Sequence, residues 1–177
     1  MQAVSAATRD TADGRAAEIE HFMQTHSTRL VGALTLITGS RGAAEDALQD
    51  ALAKAWIRRD EPIEQLVAWI TVVATNQARS GYRRRMAEER ALTKIGSRAQ
   101  SDEPSPREHD DTLHRALRLL PEREREVTVM HYVLDQSVAQ VAAAMGVAVG
   151  TVKTLLFRAR QHLADELGLD YDTGEGG

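Results

Sequence analysis

The chain has 177 residues, 42% hydrophobic and 27% charged, room for one medium domain or two small ones and the composition of a globular protein, which excludes collagen-like, mucin-like and wholly disordered classes. No run reaches the roughly 18 apolar residues of a membrane span, no apolar stretch follows the first charges as in a signal peptide, and cysteine is absent. Membrane insertion, a disulfide framework, a thiolate nucleophile and a cysteine-built zinc site are therefore not expected, and a cytoplasmic location is.

Residues 1–17 are rich in Ala, Thr, Asp and Gly without apolar periodicity, and are expected to form a flexible leader. Apolar residues recur at helical spacing from Ala17 to Thr38 until Gly39-Ser40-Arg41-Gly42 interrupts them. Ala44, Ala47, Leu48, Ala51, Leu52, Ala55 and Trp56 then fall on one continuous helical stripe, ended by Arg58–Ile63 with Pro62. A third helix is predicted from about Glu64 through Trp69, Ile70 and Val73 into the arginines at 79 and 83–85. Trp56 and Trp69 both lie on apolar stripes and are expected to anchor the core. Residues 96–110, polar, acidic and broken by Pro104 and Pro106, read as a linker between a first domain over 18–95 and a second over 111–167, with an acidic tail over 168–177.

In the second domain Leu113, Ala116, Leu117 and Leu120 give a short amphipathic helix that stops before Pro121. Pro121 fits the first turn of the next helix, with Glu122 and Glu124 near its positive end. Val127-Thr128-Val129 has strand propensity, but the strong helical start at Glu122–Glu126 favours helix. Ser137 and Gln140 have capping-box spacing ahead of a helix over Val138–Met145, and Gly146 suits its left-handed end. A longer basic helix follows through Leu163. Short helix, glycine turn and longer basic helix make a helix-turn-helix. The fold class is all-α: two small helical domains on a flexible acidic linker, the second a helix-turn-helix.

The net charge of −4 conceals segregation. Residues 79–86 and 137–164 carry Arg79, Arg83, Arg84, Arg85, Lys153, Arg158 and Arg160 and no acid, while the acids gather mid-chain and in the tail. On the last helix Val152, Leu155, Leu156, Ala159 and Leu163 share one arc. Lys153, Thr154, Phe157, Arg158, Arg160 and Gln161 share the other, where cations can reach phosphates and Thr154 or Arg158 base edges; Phe157 suits a thymine methyl or the domain's own edge. On the second helix Glu45, Asp46, Gln49 and Asp50 face away from the apolar stripe, either as a solvated surface or as a dock for a basic partner. No G-x-S-x-G, P-loop, dinucleotide fingerprint or H-E-x-x-H occurs, and the histidines have no helical metal-pair spacing. No catalysis, metal or cofactor is expected.

With these residues assembled, the chain resembles the extracytoplasmic-function sigma factors, short two-domain bacterial initiation factors. Ala44-Glu45-Asp46-Ala47-Leu48-Gln49-Asp50-Ala51 with Ala55-Trp56 is similar to the family's polymerase-binding helix. Ala68-Trp69-Ile70-Thr71-Val72-Val73-Ala74-Thr75-Asn76 followed by Arg83-Arg84-Arg85 is similar to its promoter-melting segment. Ala116-Leu117-Arg118-Leu119-Leu120-Pro121-Glu122-Arg123-Glu124-Arg125-Glu126-Val127 resembles the opening of its promoter-binding domain. Gly150-Thr151-Val152-Lys153-Thr154 with Arg158-Ala159-Arg160 resembles its recognition helix. The four stretches run in family order over about residues 20–165.

The resemblance implies that Glu45, Asp46, Gln49 and Asp50 face core RNA polymerase. It implies that Asn76 takes a flipped base of the minus-ten element, with Arg79, Arg83, Arg84 and Arg85 on nearby backbone. Thr151, Lys153, Thr154, Phe157 and Arg158 would read the minus-thirty-five element, with Arg160 on phosphate. Promoter DNA and the polymerase are the implied partners, and an anti-sigma factor is a further one that no residue here identifies. The sequence departs from the family at Leu155, where arginine is common, at Ile70-Thr71-Val72, where an aromatic and a basic residue are common, and at Gln140, where an acid is frequent; these departures point to altered promoter preference. Two rivals stand beside this reading: a stand-alone dimeric helix-turn-helix regulator, and a sigma-like decoy that binds polymerase without opening promoters.

Overall fold

The computed structural model describes residues 2–94 and 111–168, with side chains over 14–92 and 115–168. The chain divides into two compact units, Met1–Asp102 and Glu103–Gly177. All regular elements among the described residues are helical. The linker predicted over 96–110 and all of the acidic tail but Gly168 lie outside the described residues.

The first unit contains α1 (Gln2–Thr25), α2 (Ser27–Thr38), α3 (Arg41–Ile57) and α4 (Leu66–Lys94). Two expectations are corrected at its start. The leader predicted over 1–17 has helical backbone from Gln2 onward, because alanine-rich sequence holds a helix without an apolar stripe. Arg15 also ties it down, donating to the Glu61 carbonyl at 3.3 Å and pairing with Glu18 at 2.9 Å. The run from Ala17 to Thr38 is two helices, not one. The break falls at His26, where the hydroxyls of Thr25 and Ser27 donate back to the His21 and Met23 carbonyls and disturb the helical ladder.

Helix α2 stops at Gly39, whose φ of 70° puts it in the left-handed region open to glycine. Ser40 then caps α3, its Oγ accepting from the Ala43 amide at 3.3 Å. Ala44, Ala47, Ala51 and Ala55 are all buried, and these small side chains let α3 pack closely between α2 and α4. From α4, Ile70, Ala74 and Ala78 supply the facing row, one helical turn apart.

Trp56 is not the core anchor expected; it is 49% exposed, and Trp69 is half-buried. At about 100° per residue Trp56 lies a whole step off Ala55, at the margin of the stripe. The Arg59 guanidinium covers its ring at 5.4 Å from the centroid.

The second unit contains α5 (Asp111–Leu119), α6 (Glu122–Thr128), a π-helical turn (Val129–Val133), α7 (Val138–Met145) and α8 (Val149–Leu167). Pro121 sits at the N-cap of α6, one residue before the position expected. Residues 127–129 are helical, as expected, but the helix widens: the Leu134 amide donates to the Val129 carbonyl at 3.0 Å, an i to i+5 bond. Asp135, at φ 53°, then turns the chain toward α7. Ser137 and Gln140 form both bonds of the capping box, at 3.2 and 2.8 Å, so the acid often found at 140 is replaced by a residue that caps as well. Gly146 adopts φ 66°. Helices α7 and α8 bend by 107° at this break, within the helix-turn-helix range. Val127, Met130, Val141, Met145, Val152 and Leu156 form the core. Leu155 packs against it, so the departure at 155 extends the core.

Candidate nucleic-acid interface

Each candidate side chain owes its place to the buried stripe on the same helix. On α3 the alanine row faces inward, which leaves Asp46, Gln49 and Asp50 exposed and Glu45 half-buried and paired with Arg41 at 2.7 Å. The acidic face is not isolated from α4. Gln77 Nε2 donates to Asp50 Oδ2 at 3.0 Å, and Asp46, Asp50, Gln77, Arg84 and Arg85 line one shallow groove. Residues that the sequence reading assigned to separate tasks thus share a surface.

The arginines of α4 do not form the single basic patch their sequence clustering suggests. At about 100° per residue, positions 83, 84 and 85 point in different directions, and 79 lies one turn before 83, deeper in the unit. Arg83 and Arg84 are exposed. Arg85 reaches back to α2, where Nη2 donates to the Thr38 carbonyl at 3.5 Å, close to the negative end of that helix. Arg79 is only 5% exposed, because it lies one turn beyond the fully buried Thr75 and continues that inward row. Its Nη1 donates to Asn76 Oδ1 at 3.4 Å. A guanidinium has no acceptor, so the amide oxygen of Asn76 must face it, and the amide NH₂ remains for another group. The structure therefore does not place Arg79 with the surface cations. Asn76 itself is half-buried, as are Thr71 and Val72, while Ile70 is in the core.

On α8, Val152, Leu156 and Ala159 are buried, which turns Thr151, Lys153, Thr154, Phe157 and Arg158 outward. Phe157 is 42% exposed. The Thr154 hydroxyl donates to the Gly150 carbonyl at 3.0 Å and keeps its lone pairs available. No acid lies between 149 and 163, so this face attracts anions along its length. Arg160 is half-buried, and its Nη1 donates to the Tyr132 hydroxyl at 3.2 Å. Tyr132 was not among the residues expected at this surface. The π-helical turn that presents it has no mark in the sequence pattern, and only its aromatic, half-polar side chain could have drawn attention.

Comparison with known proteins bears on both units. The model of sigma-70 region 2 matches residues 22–88 and that of sigma-70 region 4 matches residues 110–163. The chain is 33% identical over 147 residues to the ECF RNA polymerase sigma factor SigL of Mycobacterium tuberculosis, covering 75% of this chain and 81% of that one. It is 30% identical over 138 residues to the ECF RNA polymerase sigma factor EcfG of Rhodopseudomonas palustris, covering 76% of each. With the RNA polymerase sigma-E factor of Streptomyces avermitilis it shares 29% over 160 residues, 88% of each chain. Among solved structures, the sigma factor RpoE in complex with the anti-sigma factor NepR from Bartonella quintana has the same fold, at a TM-score of 0.68 and 24% identity over 86% of this chain and 98% of that one. CnrH, solved with the cytosolic domain of CnrY, gives 0.62 and 23% over 92% and 96%.

Proposed function

We infer the mode of action from one premise: the chain belongs to the extracytoplasmic-function sigma factors, and so it binds core RNA polymerase, directs it to two-part promoters and opens the DNA. Sigma factors are DNA-binding initiation factors, and phosphodiester chemistry is left to the polymerase.

The distribution of work over the residues is our proposal. Asp46, Gln49 and Asp50, with Glu45 beside them, dock on the polymerase. Asn76 receives a flipped base of the minus-ten element through its free NH₂, and Arg83 and Arg84 hold the backbone nearby, with Arg85 at the edge. Lys153, Thr154, Phe157 and Arg158 read the minus-thirty-five element, with Thr151 at its border and Arg160 on phosphate. The domains are those read from the sequence, with the first drawn back to include α1. An anti-sigma factor is a further expected partner, since relatives of this fold have been solved with one. The cytoplasm is the expected location; among the described residues no single helix is long and apolar enough to cross a membrane.

One observation carries this assignment. The exposed acids of α3 lie in one unit and the acid-free face of α8 in the other, which suits one protein-docking surface and one DNA-docking surface. The stand-alone regulator offers no use for the acids of α3, and the N-terminal unit matches region 2 rather than a dimerisation or sensor domain. The test is core binding by Asp46→Lys with Asp50→Lys. Reversed charge against a basic dock costs several kcal/mol, so affinity for core should fall by far more than tenfold while the melting temperature stays within a few degrees. Unchanged core binding would remove α3 from the interface.

A further inference from the structure

We propose that Gln77 is a contact for the melted strand that Asp50 withholds until the polymerase docks. The inference rests on the assignment of Asp50 to core and of Asn76 and Arg84 to the minus-ten element, and adds a residue that links the two.

In the chain alone the amide of Gln77 is engaged. Its Nε2 donates to Asp50 Oδ2 at 3.0 Å, from α4 to α3 across 27 positions. An ionised carboxylate only accepts, so the NH₂ end of the amide is fixed toward it. This bond joins a neutral donor to a charged acceptor. A basic side chain of the polymerase at Asp50 makes a bond with both partners charged, and a guanidinium takes both carboxylate oxygens at once. Asp50 is exposed and open to such a partner, whereas Gln77 is half-buried. Docking therefore displaces the amide, and a displaced half-buried amide needs a new partner.

The groove around Gln77 supplies the room for one. Gln77, Gly81 and Arg84 are spaced four and three residues apart and share one row of α4. All three line the groove that also holds Asp46 and Asp50. A Cβ added at Gly81 would meet nothing within 4 Å, so the row is open between its polar ends. Those ends are about 10 Å apart along the axis, or roughly three base steps of a stacked strand. A strand whose backbone rests on the exposed Arg84 thus brings a base to Gln77, the neighbour of Asn76 in sequence. The amide offers a donor beside an acceptor, the pattern that pairs with a base edge such as N6 and N7 of adenine.

Charge favours the same order of events. Asp46 and Asp50 supply the α3 side of the groove, and two exposed carboxylates repel a nucleic-acid backbone. Basic side chains of the polymerase placed on them cancel that repulsion. Core thus opens the groove to DNA twice over, by freeing Gln77 and by neutralising the acids. Linkage makes the effect reciprocal, so that an opened promoter raises the affinity for core by the same factor.

The test uses the complete chain, core polymerase and the promoter that its sequenced transcript starts define, with every minus-ten position substituted in turn. Gln77→Met keeps the unbranched stem and removes both polar atoms of the amide, so the melting temperature should stay within a few degrees. Affinity for core should rise, by up to about fivefold, because Asp50 no longer has an internal partner to give up. Opening by the holoenzyme should fall about fivefold, and base discrimination should be lost at one minus-ten position while the others keep theirs. For a residue that only orients Asp50, affinity for core would fall instead. For a residue that only packs, affinity and opening would both fall, with no position singled out. Either result, or unchanged base discrimination, would overturn the gate. Asp46→Lys with Asp50→Lys separates the two levels. If that variant loses core while Gln77→Met changes nothing, the gate alone falls; if it binds core as the parent does, the docking assignment falls and takes the gate with it.

Discussion

Replacing Arg79 by methionine distinguishes a buried positioning residue from a surface phosphate contact. Methionine keeps the long unbranched stem, so α4 should pack nearly as before. The substitution removes the donor that holds Asn76 Oδ1 at 3.4 Å. A bond of that length is at the weak end for a charged donor, worth about 1 kcal/mol, and its loss should slow strand opening about fivefold. The salt dependence should not change, because a side chain 5% exposed neutralises no phosphate. Arg84→Met is the contrast. Each contact to single-stranded phosphate contributes about 0.7 to the salt slope, so a fourfold rise in salt, from about 50 to 200 mM, should cost that variant about 2.6-fold less than the parent. The assay is the binding and opening of a fluorescent minus-ten duplex by the reconstituted holoenzyme over a salt series. If Arg79→Met flattens the salt dependence as much as Arg84→Met, Arg79 reaches the DNA and the positioning argument is wrong.

Three other outcomes follow from the packing. Ile70→Ala should destabilise the first unit by about 2–5 kcal/mol and Trp56→Ala by less than about 1, since one side chain is fully buried and the other is at the margin; urea unfolding of the two variants orders them. Gly146→Ala should cost about 1–2 kcal/mol, because nothing lies within 4 Å of the added Cβ and the whole penalty is the left-handed backbone; thermal unfolding of the second unit measures it. Gln77→Ala should leave the fold intact but alter core binding through Asp50, whose carboxylate accepts from Gln77 at 3.0 Å; titration with core polymerase reads the change.

Much of the fold was legible because periodicity and punctuation agreed. The stripe of α3, the capping box at Ser137 and the left-handed Gly146 are local signals, and each reappears in the structure with the expected partner. What the pattern missed depends on tertiary context. Trp56 falls at the edge of its stripe, where the sequence cannot tell whether another helix will cover it. Arg79 reads as one of four clustered arginines, yet its turn of α4 follows Thr75 inward, and burial on that face decides its partner. The break at His26 carries neither glycine nor proline and comes from hydroxyls bonding back to carbonyls. The π-helical turn leaves the hydrophobic spacing almost unaltered while changing where Tyr132 points.

The central claim is that this chain gives core polymerase a promoter address and opens the strands there. Transcription reconstituted from the purified chain and core polymerase on pooled genomic promoter fragments, with transcript starts sequenced, tests it most directly. The expected starts share a two-part upstream motif, are absent with core alone and are lost with Asn76→Ala or Arg158→Ala. A chain that binds core yet yields no such starts, or yields starts indifferent to both substitutions, would contradict it.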